Sequence, residues 1–312
     1  MAPRGLSGER IELRYGTQRA LAVEVGAGLC GYWVGTDPVA HGYGERELPS
    51  GACGQTLMPW PNRLRDGSYE FAGEHHQLPL SEPARGNALH GLVRWANWTP
   101  TRRSESSVRL EHVLHAQEGY PFVLSLSVEY ELGEGGLTVR SAATNVGEQA
   151  APFGAGHHPY VTVGAPTIDT CSLRGPGRRY LPTDERAIPT GARSVAGTQY
   201  DFLRQRPVGA TVLDTAFDYL ERDADGLARV KLATGDGARA LTVWQDASYP
   251  YLMLFTGDPI EAGLGRRRSL GVEPMTCAPN GLQTGDGLLV LEPGQAFAGS
   301  WGITPSPIGS DA

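Results

Sequence analysis

A two-residue alternation of apolar and polar side chains runs through much of the chain and is strongest between residues 107 and 153. Successive side chains of a β-strand point to opposite faces, so this period predicts strands with one buried face. The pattern predicts long paired strands at 108–114, 122–132 and 137–145, with a turn at Gly133–Gly136. Shorter predicted strands lie at 9–14, 19–25, 29–34, 227–233, 239–244 and 251–256.

Turn-forming residues separate these segments, and no stretch carries a convincing helical period. The 312 residues include 42 Gly and 23 Pro, which suits many short strands joined by tight turns. Residues 165–210 are dominated by Pro, Gly, Arg and Thr and are predicted to form long loops at one edge. With no compositional break, we predict one all-β domain over residues 1–312, with a frayed tail at 305–312.

The charge balance argues against two classes of partner. The formal charge of -7 and a pI near 5.6 do not suit nucleic acid or an anionic membrane, both of which need a basic surface. The dense basic run Arg266–Arg268 is interpreted as a solvated loop. No apolar stretch approaches the ~20 residues of a membrane span, and residues 1–11 lack a signal-peptide core. We therefore expect a soluble, cytoplasmic protein, acting as a monomer or a homodimer.

The four cysteines, at positions 30, 53, 171 and 277, are scattered without a Cys-x-x-Cys spacing, which is typical of reduced thiols. Cys277 as a thiol nucleophile is a minor alternative. His112 and His115 face opposite sides of a predicted strand, so the sequence predicts no metal site there.

Two adjacent histidines, His157 and His158, stand between a glycine-rich approach and Pro159. If they continue a strand, one faces a site and the other faces away from it. Far downstream, Glu273 lies in the segment Gly271–Asn280, which also contains glycine and proline. An imidazole and a positioned carboxylate are the minimum needed for acid–base catalysis near neutral pH.

Polar side chains in two other loops suit the binding of hydroxyl groups. Asn62 and Arg63 follow a proline-rich segment, and they offer donors and acceptors in a fixed geometry. His90 lies in a glycine-punctuated loop leading to Trp95 and Trp98. Aromatic faces beside polar groups would suit a sugar, although tryptophans are more often part of a core.

Several motifs, in a shared order and spacing, resemble those of the aldose 1-epimerases, also called galactose mutarotases. The resemblance covers nearly the whole chain, and some features resemble a bacterial subgroup. It is carried by Pro61-Asn62-Arg63-Leu64, Asn87-Ala88-Leu89-His90-Gly91, Gly119-Tyr120-Pro121-Phe122, Gly156-His157-His158-Pro159-Tyr160, Leu213-Asp214-Thr215-Ala216-Phe217, Phe255-Thr256-Gly257 and Glu273-Pro274-Met275-Thr276-Cys277.

The resemblance implies a large antiparallel β-sandwich of the galactose mutarotase type, with a monosaccharide in an open cleft and no metal or organic cofactor. It also implies that His158 is the general acid and Glu273 the general base. Asn62, Arg63, His90 and Asp214 are similarly implied to contact the sugar. One departure is Met253, where many members of the family have a glutamine.

The resemblance implies interconversion of the α and β anomers of an aldohexose by ring opening. A glutamate with an ordinary pKa of ~4.3 would be ionised as the base, and a neighbouring carboxylate, with Asp214 the candidate, would keep His158 protonated. Three alternatives stay open. The substrate could be a phosphorylated or otherwise anionic sugar held by Arg63, Arg94 or Arg266–Arg268, the protein could be a non-catalytic carbohydrate-binding module, or, least favoured, it could be a metal hydrolase.

Overall fold

The computed structural model describes residues 5–260 and 263–306, which are almost entirely β-strands and connecting turns. The strands of these residues are β1 Arg10–Tyr15, β2 Gln18–Val23, β3 Gly28–Val34, β4 Asp37–His41, β5 Thr56–Leu57, β6 Arg63–Arg65, β7 Ser68–Phe71, β8 Glu74–Gln77, β9 Asn87–Leu89, β10 Thr99–Arg103, β11 Ser107–Leu114, β12 Leu124–Gly133, β13 Gly136–Asn145, β14 Ala151–Phe153, β15 Gly156–His157, β16 Tyr160–Val161, β17 Ser172–Arg174, β18 Gly177–Leu181, β19 Arg193–Ser194, β20 Arg206–Pro207, β21 Asp214–Leu220, β22 Ala228–Ala233, β23 Ala240–Gln245, β24 Tyr251–Phe255, β25 Leu270–Met275, β26 Leu289–Leu291 and β27 Ala296–Pro305. Single 3₁₀ turns lie at Ser50–Ala52, Pro83–Arg85 and Ile168–Thr170, and a four-residue α-helix, α1, spans Gly281–Thr284.

Two large antiparallel sheets form the sandwich. The first, called here the site sheet, has the strand order β1-β2-β3-β4-β16-β25-β24-β21-β18-β19, and β15 and β5 attach to it beside β25. The second, called here the back sheet, has the order β10-β11-β12-β13-β27-β23-β22-β17-β20. The predicted all-β sandwich is confirmed.

The core between the sheets follows from the alternation in the sequence. Along β12, Leu126, Val128 and Tyr130 are almost fully buried, whereas Ser125 on the other face is exposed. These side chains pack in one cluster with those of the site sheet, such as Leu13 of β1. Burying each large apolar side chain stabilises the fold by roughly 1.5–3 kcal/mol, which makes this register the favoured one.

Some predicted boundaries are correct and others are wrong. The turn at Gly133–Gly136 joins β12 to β13 in the predicted hairpin. The segment 165–210 is not wholly loop, because β17 to β20 pair within it as short strands near the sheet edges. Helix α1 was not predicted, since a single turn is too short to show a helical period.

The predicted frayed tail is wrong where the structure describes it. Pro305 ends β27, and the backbone N–H of Ser306 donates to the Ala240 carbonyl at 2.8 Å. The rest of that predicted tail, residues 307–312, lies outside the described residues. Within the described ranges, no helix has the length and apolar character needed to cross a membrane.

Candidate active site

Three neighbouring strands of the site sheet supply the floor of a cavity. In β24 and β25, Met253 lies directly opposite Glu273, and Phe255 lies opposite Gly271. In β21, Asp214 lies opposite Phe255. Opposed residues in antiparallel strands share a face, as do residues two apart, so this register brings the side chains of Glu273, Met253, Phe255 and Asp214 to one side of the sheet.

His158 enters the same cavity from the junction of β15 and β16. Its backbone N–H donates to the Gln55 carbonyl at 3.2 Å, and its carbonyl accepts from the Gly54 N–H at 2.9 Å. Gly271 lies beside the ring, and a Cβ there would make an ordinary contact of 3.7 Å with His158 Cε1 but a close one of 3.1 Å with Phe255 Cβ. The imidazole is therefore positioned by its backbone contacts, and Gly271 makes room for Phe255.

His157 points away from the cavity, in agreement with the predicted opposite orientation of the two histidines. Its Nε2 lies 2.7 Å from Ser141 Oγ of the back sheet. Its ring packs 5.2 Å from that of Trp301. Burial lowers the pKa of His157 to about 3, so this residue is a neutral core histidine.

His158 and Glu273 are in direct contact. His158 Nε2 lies 3.2 Å from Glu273 Oε1, and the two side chains are 6% and 2% exposed. The ring of His158 stacks on Tyr160 at 4.9 Å and meets Phe255 edge-on at 6.3 Å. Among the described residues, His158 Nδ1 and Glu273 Oε2 have no hydrogen-bond partner. The pair is thus buried, with one free polar atom on each member.

Burial shifts the two pKa values in opposite directions. Burial, together with the nearby cations Arg94 and Arg63, lowers the pKa of His158 to about 3. Burial raises the pKa of Glu273 well above 4.5, and the Asp214 carboxylate adds to this effect. The sequence-based expectation of an ordinary glutamate pKa is therefore wrong. Asp214 acts on Glu273 and does not hold His158 protonated.

Asn62 and His90 form a second wall beside this pair. Both adopt left-handed backbone conformations, with φ of 59° and 64°. The His90 N–H donates to the Asn62 carbonyl at 2.9 Å, and the Asn62 N–H donates to His90 Nδ1 at 3.2 Å. Because Nδ1 accepts, the ring proton of His90 lies on Nε2. Burial lowers the pKa of His90 well below 6.5, so it is a neutral donor, with its ring 5.4 Å from that of His158.

Arg63 is oriented by a glutamate that the sequence interpretation missed. Its Nε lies 3.0 Å from Glu82 Oε2, and its Nη2 lies 3.2 Å from Glu82 Oε1. Glu82 also accepts a hydrogen bond from Asn87 Nδ2 at 2.8 Å, and Arg63 Nη1 lies 3.8 Å from Asp214. Burial alone would raise the pKa of Glu82, but the bonds from Arg63 and Asn87 outweigh it, and the pKa is lowered. Glu82 lies five residues before Asn87 in the sequence, and this proximity to a candidate motif could have identified it as a site residue.

These groups surround one cavity of about 370 Å³, within the ~300–1,000 Å³ typical of small-molecule sites. All six residues singled out from the sequence line it. Its lining residues are Pro49, Gly51, Ala52, Asn62, Arg63, Glu82, Arg85, Leu89, His90, Arg94, His158, Asp214, Met253, Phe255, Pro259 and Glu273. Glu82 and Arg85 are members that sequence reasoning did not name.

Other candidate residues lie elsewhere. Trp98 is fully buried in the core, and Trp95 is 49% exposed and does not line the cavity. Arg267 is buried and paired with Asp169 and Asp258, so the expectation of a solvated loop is wrong for this residue. None of Arg266–Arg268 reaches the cavity.

The thiol alternative is disfavoured by the environment of Cys277. The residue is buried, and burial raises its pKa to about 12, which suppresses the nucleophilic thiolate. Within residues 5–260 and 263–306, no group of three or more His, Cys, Asp or Glu side chains could hold a metal ion.

Solved structures of aldose epimerases and their homologues have a similar fold. The GalM/aldose epimerase homologue from C. elegans superposes with a TM-score of 0.86 and 18% identity, over 96% of this chain and 99% of that one. The galactose 1-epimerase from Lactobacillus acidophilus superposes with a TM-score of 0.78 and 21% identity, over 95% and 94% of the two chains. The fold is therefore of the galactose mutarotase type.

Sequence comparison defines the family. The sequence model of the family described as aldose 1-epimerase matches residues 9–304. The uncharacterized protein YihR of Escherichia coli K12 is 32% identical over 290 residues, which cover 93% of this chain and 91% of YihR. Human galactose mutarotase is 29% identical over 219 residues, 65% of this chain and 61% of that protein. The chain belongs to the aldose 1-epimerase family, and this membership implies an isomerase.

Proposed function

We propose that the protein interconverts the α and β anomers of an aldohexose, with His158 as the general acid and Glu273 as the general base. The observation that carries this proposal is the buried contact of 3.2 Å between His158 Nε2 and Glu273 Oε1 at the bottom of the cavity. Mutarotation needs one group to remove a proton and another to supply one, and this pair has both functions within reach of a single ring.

The reaction can be followed as the movement of protons over the pair. With the ring closed, the Glu273 carboxylate takes the proton of the C1 hydroxyl while protonated His158 donates to the ring oxygen. The bond between C1 and the ring oxygen breaks, and C1 becomes an aldehyde carbon. Both protein groups are then neutral. After rotation about the C1–C2 bond, His158 removes the proton from the C5 hydroxyl group. The C5 oxygen attacks C1 and closes the ring, and Glu273 returns a proton to the C1 oxygen.

The pKa shifts favour the half of this cycle in which both protein groups are neutral. Burial penalises the charged forms of both residues, so it stabilises the neutral pair that accompanies the open-chain sugar. In the closed-ring state, the positive charge of Arg63 supports the Glu273 carboxylate by lowering its pKa, although it also lowers the pKa of His158. Each proton transfer of this kind is worth ~10²–10⁴-fold in rate.

The other cavity residues are proposed to bind the sugar hydroxyl groups. His90 presents an Nε2–H donor, and Asp214 presents an acceptor whose side chain is 37% exposed. Glu82 already holds the Arg63 side chain in place, so Arg63 loses little additional conformational entropy when a sugar binds. Asn62 Oδ1 accepts the Arg63 backbone N–H at 2.8 Å, which orients its amide N–H groups for substrate.

The test is catalysis by the variant Glu273→Gln. We expect it to fold and to lose at least ~10²-fold in kcat, because glutamine keeps the shape but cannot take a proton. Polarimetry on freshly dissolved α-D-glucose and α-D-galactose, or NMR exchange between anomers, measures the rate. The matched control is Glu134→Gln, which removes an exposed carboxylate outside the cavity.

Two outcomes would contradict the proposal. Near-normal turnover by Glu273→Gln would remove this residue from the mechanism. A wild-type protein that binds aldoses but leaves the rate of anomer exchange unchanged would instead be a non-catalytic carbohydrate-binding protein.

A further inference from the structure

One cation in the cavity, Arg94, has no counterion among the residues that the structure describes. Three guanidinium groups line it, and two of them, Arg63 and Arg85, pair with Glu82 at 3.0 and 3.6 Å. Arg94 forms no ion pair and donates no side-chain hydrogen bond to any residue in 5–260 or 263–306. Its guanidinium carbon lies 5.4 Å from the centre of the Trp95 ring, which offers a weak contact and no negative charge.

The position of Arg94 is determined by the fold. Its carbonyl accepts a hydrogen bond from Gln55 Nε2 at 2.6 Å. Gly26 packs so closely that a Cβ there would lie 2.5 Å from the same carbonyl oxygen. The neighbouring Val93 is fully buried. The backbone that carries Arg94 is therefore anchored, and the side chain starts from a defined point on the cavity wall.

A half-buried guanidinium without a partner is energetically unfavourable in the empty protein. Burial lowers the pKa of Arg94, which reports the partial loss of its hydration. Such a cost is offset when an anion binds, and the planar fork of arginine matches a carboxylate, phosphate or sulfonate with two parallel hydrogen bonds. The arrangement is typical of a site that is completed by its ligand.

The charges of the cavity lead to the same class of ligand. The guanidinium groups of Arg63, Arg85 and Arg94 face the carboxylates of Glu82 and Asp214. When His158 and Glu273 share a single proton they contribute no net charge, so three positive and two negative groups leave one positive charge. A ligand with one anionic group balances the cavity, although the protein as a whole carries a charge of -7.

The location of Arg94 indicates which carbon of the sugar bears the anion. Gln55 connects Arg94 to His158, because its Nε2–H donates to the Arg94 carbonyl at 2.6 Å and its own carbonyl accepts the His158 backbone N–H at 3.2 Å, so Arg94 lies on the His158 side of the cavity. In the proposed mechanism His158 donates to the ring oxygen, which is bonded to C5. The substituent on C5 is C6, which therefore lies on the same side. The anion is not on C1, because ring opening requires a free hydroxyl group there.

On the basis of the proposed epimerase function, we propose that the preferred substrate is an aldohexose with an anionic group at C6, bound by Arg94. The shared chemistry is a hexose with a negatively charged oxygen group at C6, where C6 either forms part of that group or is bonded to it. Three sources fit this chemistry: a carboxylate at C6 itself, a phosphate ester, or a sulfonate.

The experiment compares anomer exchange for glucose with that for glucuronate, glucose 6-phosphate and glucose carrying a sulfonate at C6. Exchange is followed by NMR and corrected for the rate without protein. We expect kcat/KM for at least one anionic sugar to exceed that for glucose by 10-fold or more, and the preferred anion identifies the source. Increasing salt should reduce this preference, because ions screen the partly exposed Arg94.

The variant Arg94→Gln tests the assigned residue. We expect the ratio of kcat/KM for the preferred anionic sugar to that for glucose to fall by roughly 10- to 100-fold, mainly through KM, since a charged hydrogen-bond partner is lost. Arg94→Lys should keep part of the preference, because a point charge replaces the fork. Arg102→Gln is the control, since Arg102 is exposed on β10, outside the cavity, and its replacement should keep the wild-type ratio.

The possible failures are distinguishable. If wild-type protein acts on glucose with no preference for any anionic sugar, the inference is overturned and the proposed function stands. The inference is overturned in the same way if Arg94→Gln keeps the preference. If wild-type protein accelerates exchange of none of the four sugars, the proposed function itself fails, and this inference fails with it.

Discussion

The shared proton of His158 and Glu273 leads to a distinctive dependence of stability on pH. In the unfolded chain, a glutamate titrates near 4.5 and a histidine near 6.5. Between these values the unfolded pair carries one proton, on His158. In the folded protein, burial lowers the pKa of His158 to about 3 and raises that of Glu273 well above 4.5, so the pair again carries one proton. As long as the pH stays below the raised pKa of Glu273, the pair therefore contributes no slope to the stability curve between pH 4.5 and 6.5.

The variant Glu273→Gln removes this balance. Only His158 then titrates, with a folded pKa below its unfolded value. A histidine of this kind contributes stability that is present above the unfolded pKa and is lost as the pH falls below it. The loss is about 1.4 kcal/mol per pH unit. Because the slope reaches this value only once the unfolded histidine is fully protonated, the variant should lose about 2 kcal/mol more than the wild-type protein between pH 6.5 and 4.5.

Above pH 6.5 the signs reverse. The folded wild-type pair retains its proton on Glu273 while the unfolded pair loses its last proton, so wild-type stability decreases as the pH rises towards the raised pKa of Glu273. The variant has no such group and should show no corresponding decrease. The difference in stability between the two proteins should thus change in one direction from pH 4.5 upwards until the pH reaches the raised pKa of Glu273.

Urea denaturation at half-unit intervals of pH measures this difference. Other buried histidines, such as His157 and His90, contribute equally to both proteins, so their effects cancel in the comparison. The control Glu134→Gln, at an exposed position, should give a curve parallel to that of the wild-type protein. Parallel curves for Glu273→Gln and wild type would refute the argument that the buried pair holds a single proton.

Three further outcomes are expected. The pH profile of kcat/KM should show no inflection from His158 near 6.5, because burial lowers the pKa of that residue to about 3, and an inflection there that is assigned to His158 in a pH-dependent rate measurement would contradict the lowered pKa. Gly271→Ala should lower the free energy of unfolding by about 1–3 kcal/mol and lower kcat, because its Cβ would crowd Phe255 at 3.1 Å. In the control Gly133→Ala, no atom lies within 4 Å of the added Cβ, so the change should be nearly neutral in denaturation. Equal effects of the two substitutions would exclude the steric explanation. Glu82→Gln should raise KM roughly 10-fold by releasing Arg63, as measured by anomer exchange at varied sugar concentration, and an unchanged KM would show that Arg63 needs no such support.

The sequence alone predicted the architecture because the alternation of side chains is a local property. In β12, the residues that alternate in the sequence are the ones that alternate between core and surface. The same is true of the opposed directions of His157 and His158, since neighbouring strand residues face opposite sides. Local motifs also pointed to the six residues that the fold brings together in one cavity.

The chemistry of the cavity depended on contacts between residues that are distant in the sequence. The proton of His90 is placed on Nε2 by the Asn62 backbone, and Arg63 is oriented by Glu82, which sequence reasoning overlooked. The raised pKa of Glu273 and the lowered pKa of His158 come from burial, which is a property of the packed molecule. Sequence motifs identify which groups are present, but only the tertiary structure determines what surrounds each group, and those surroundings decide its charge.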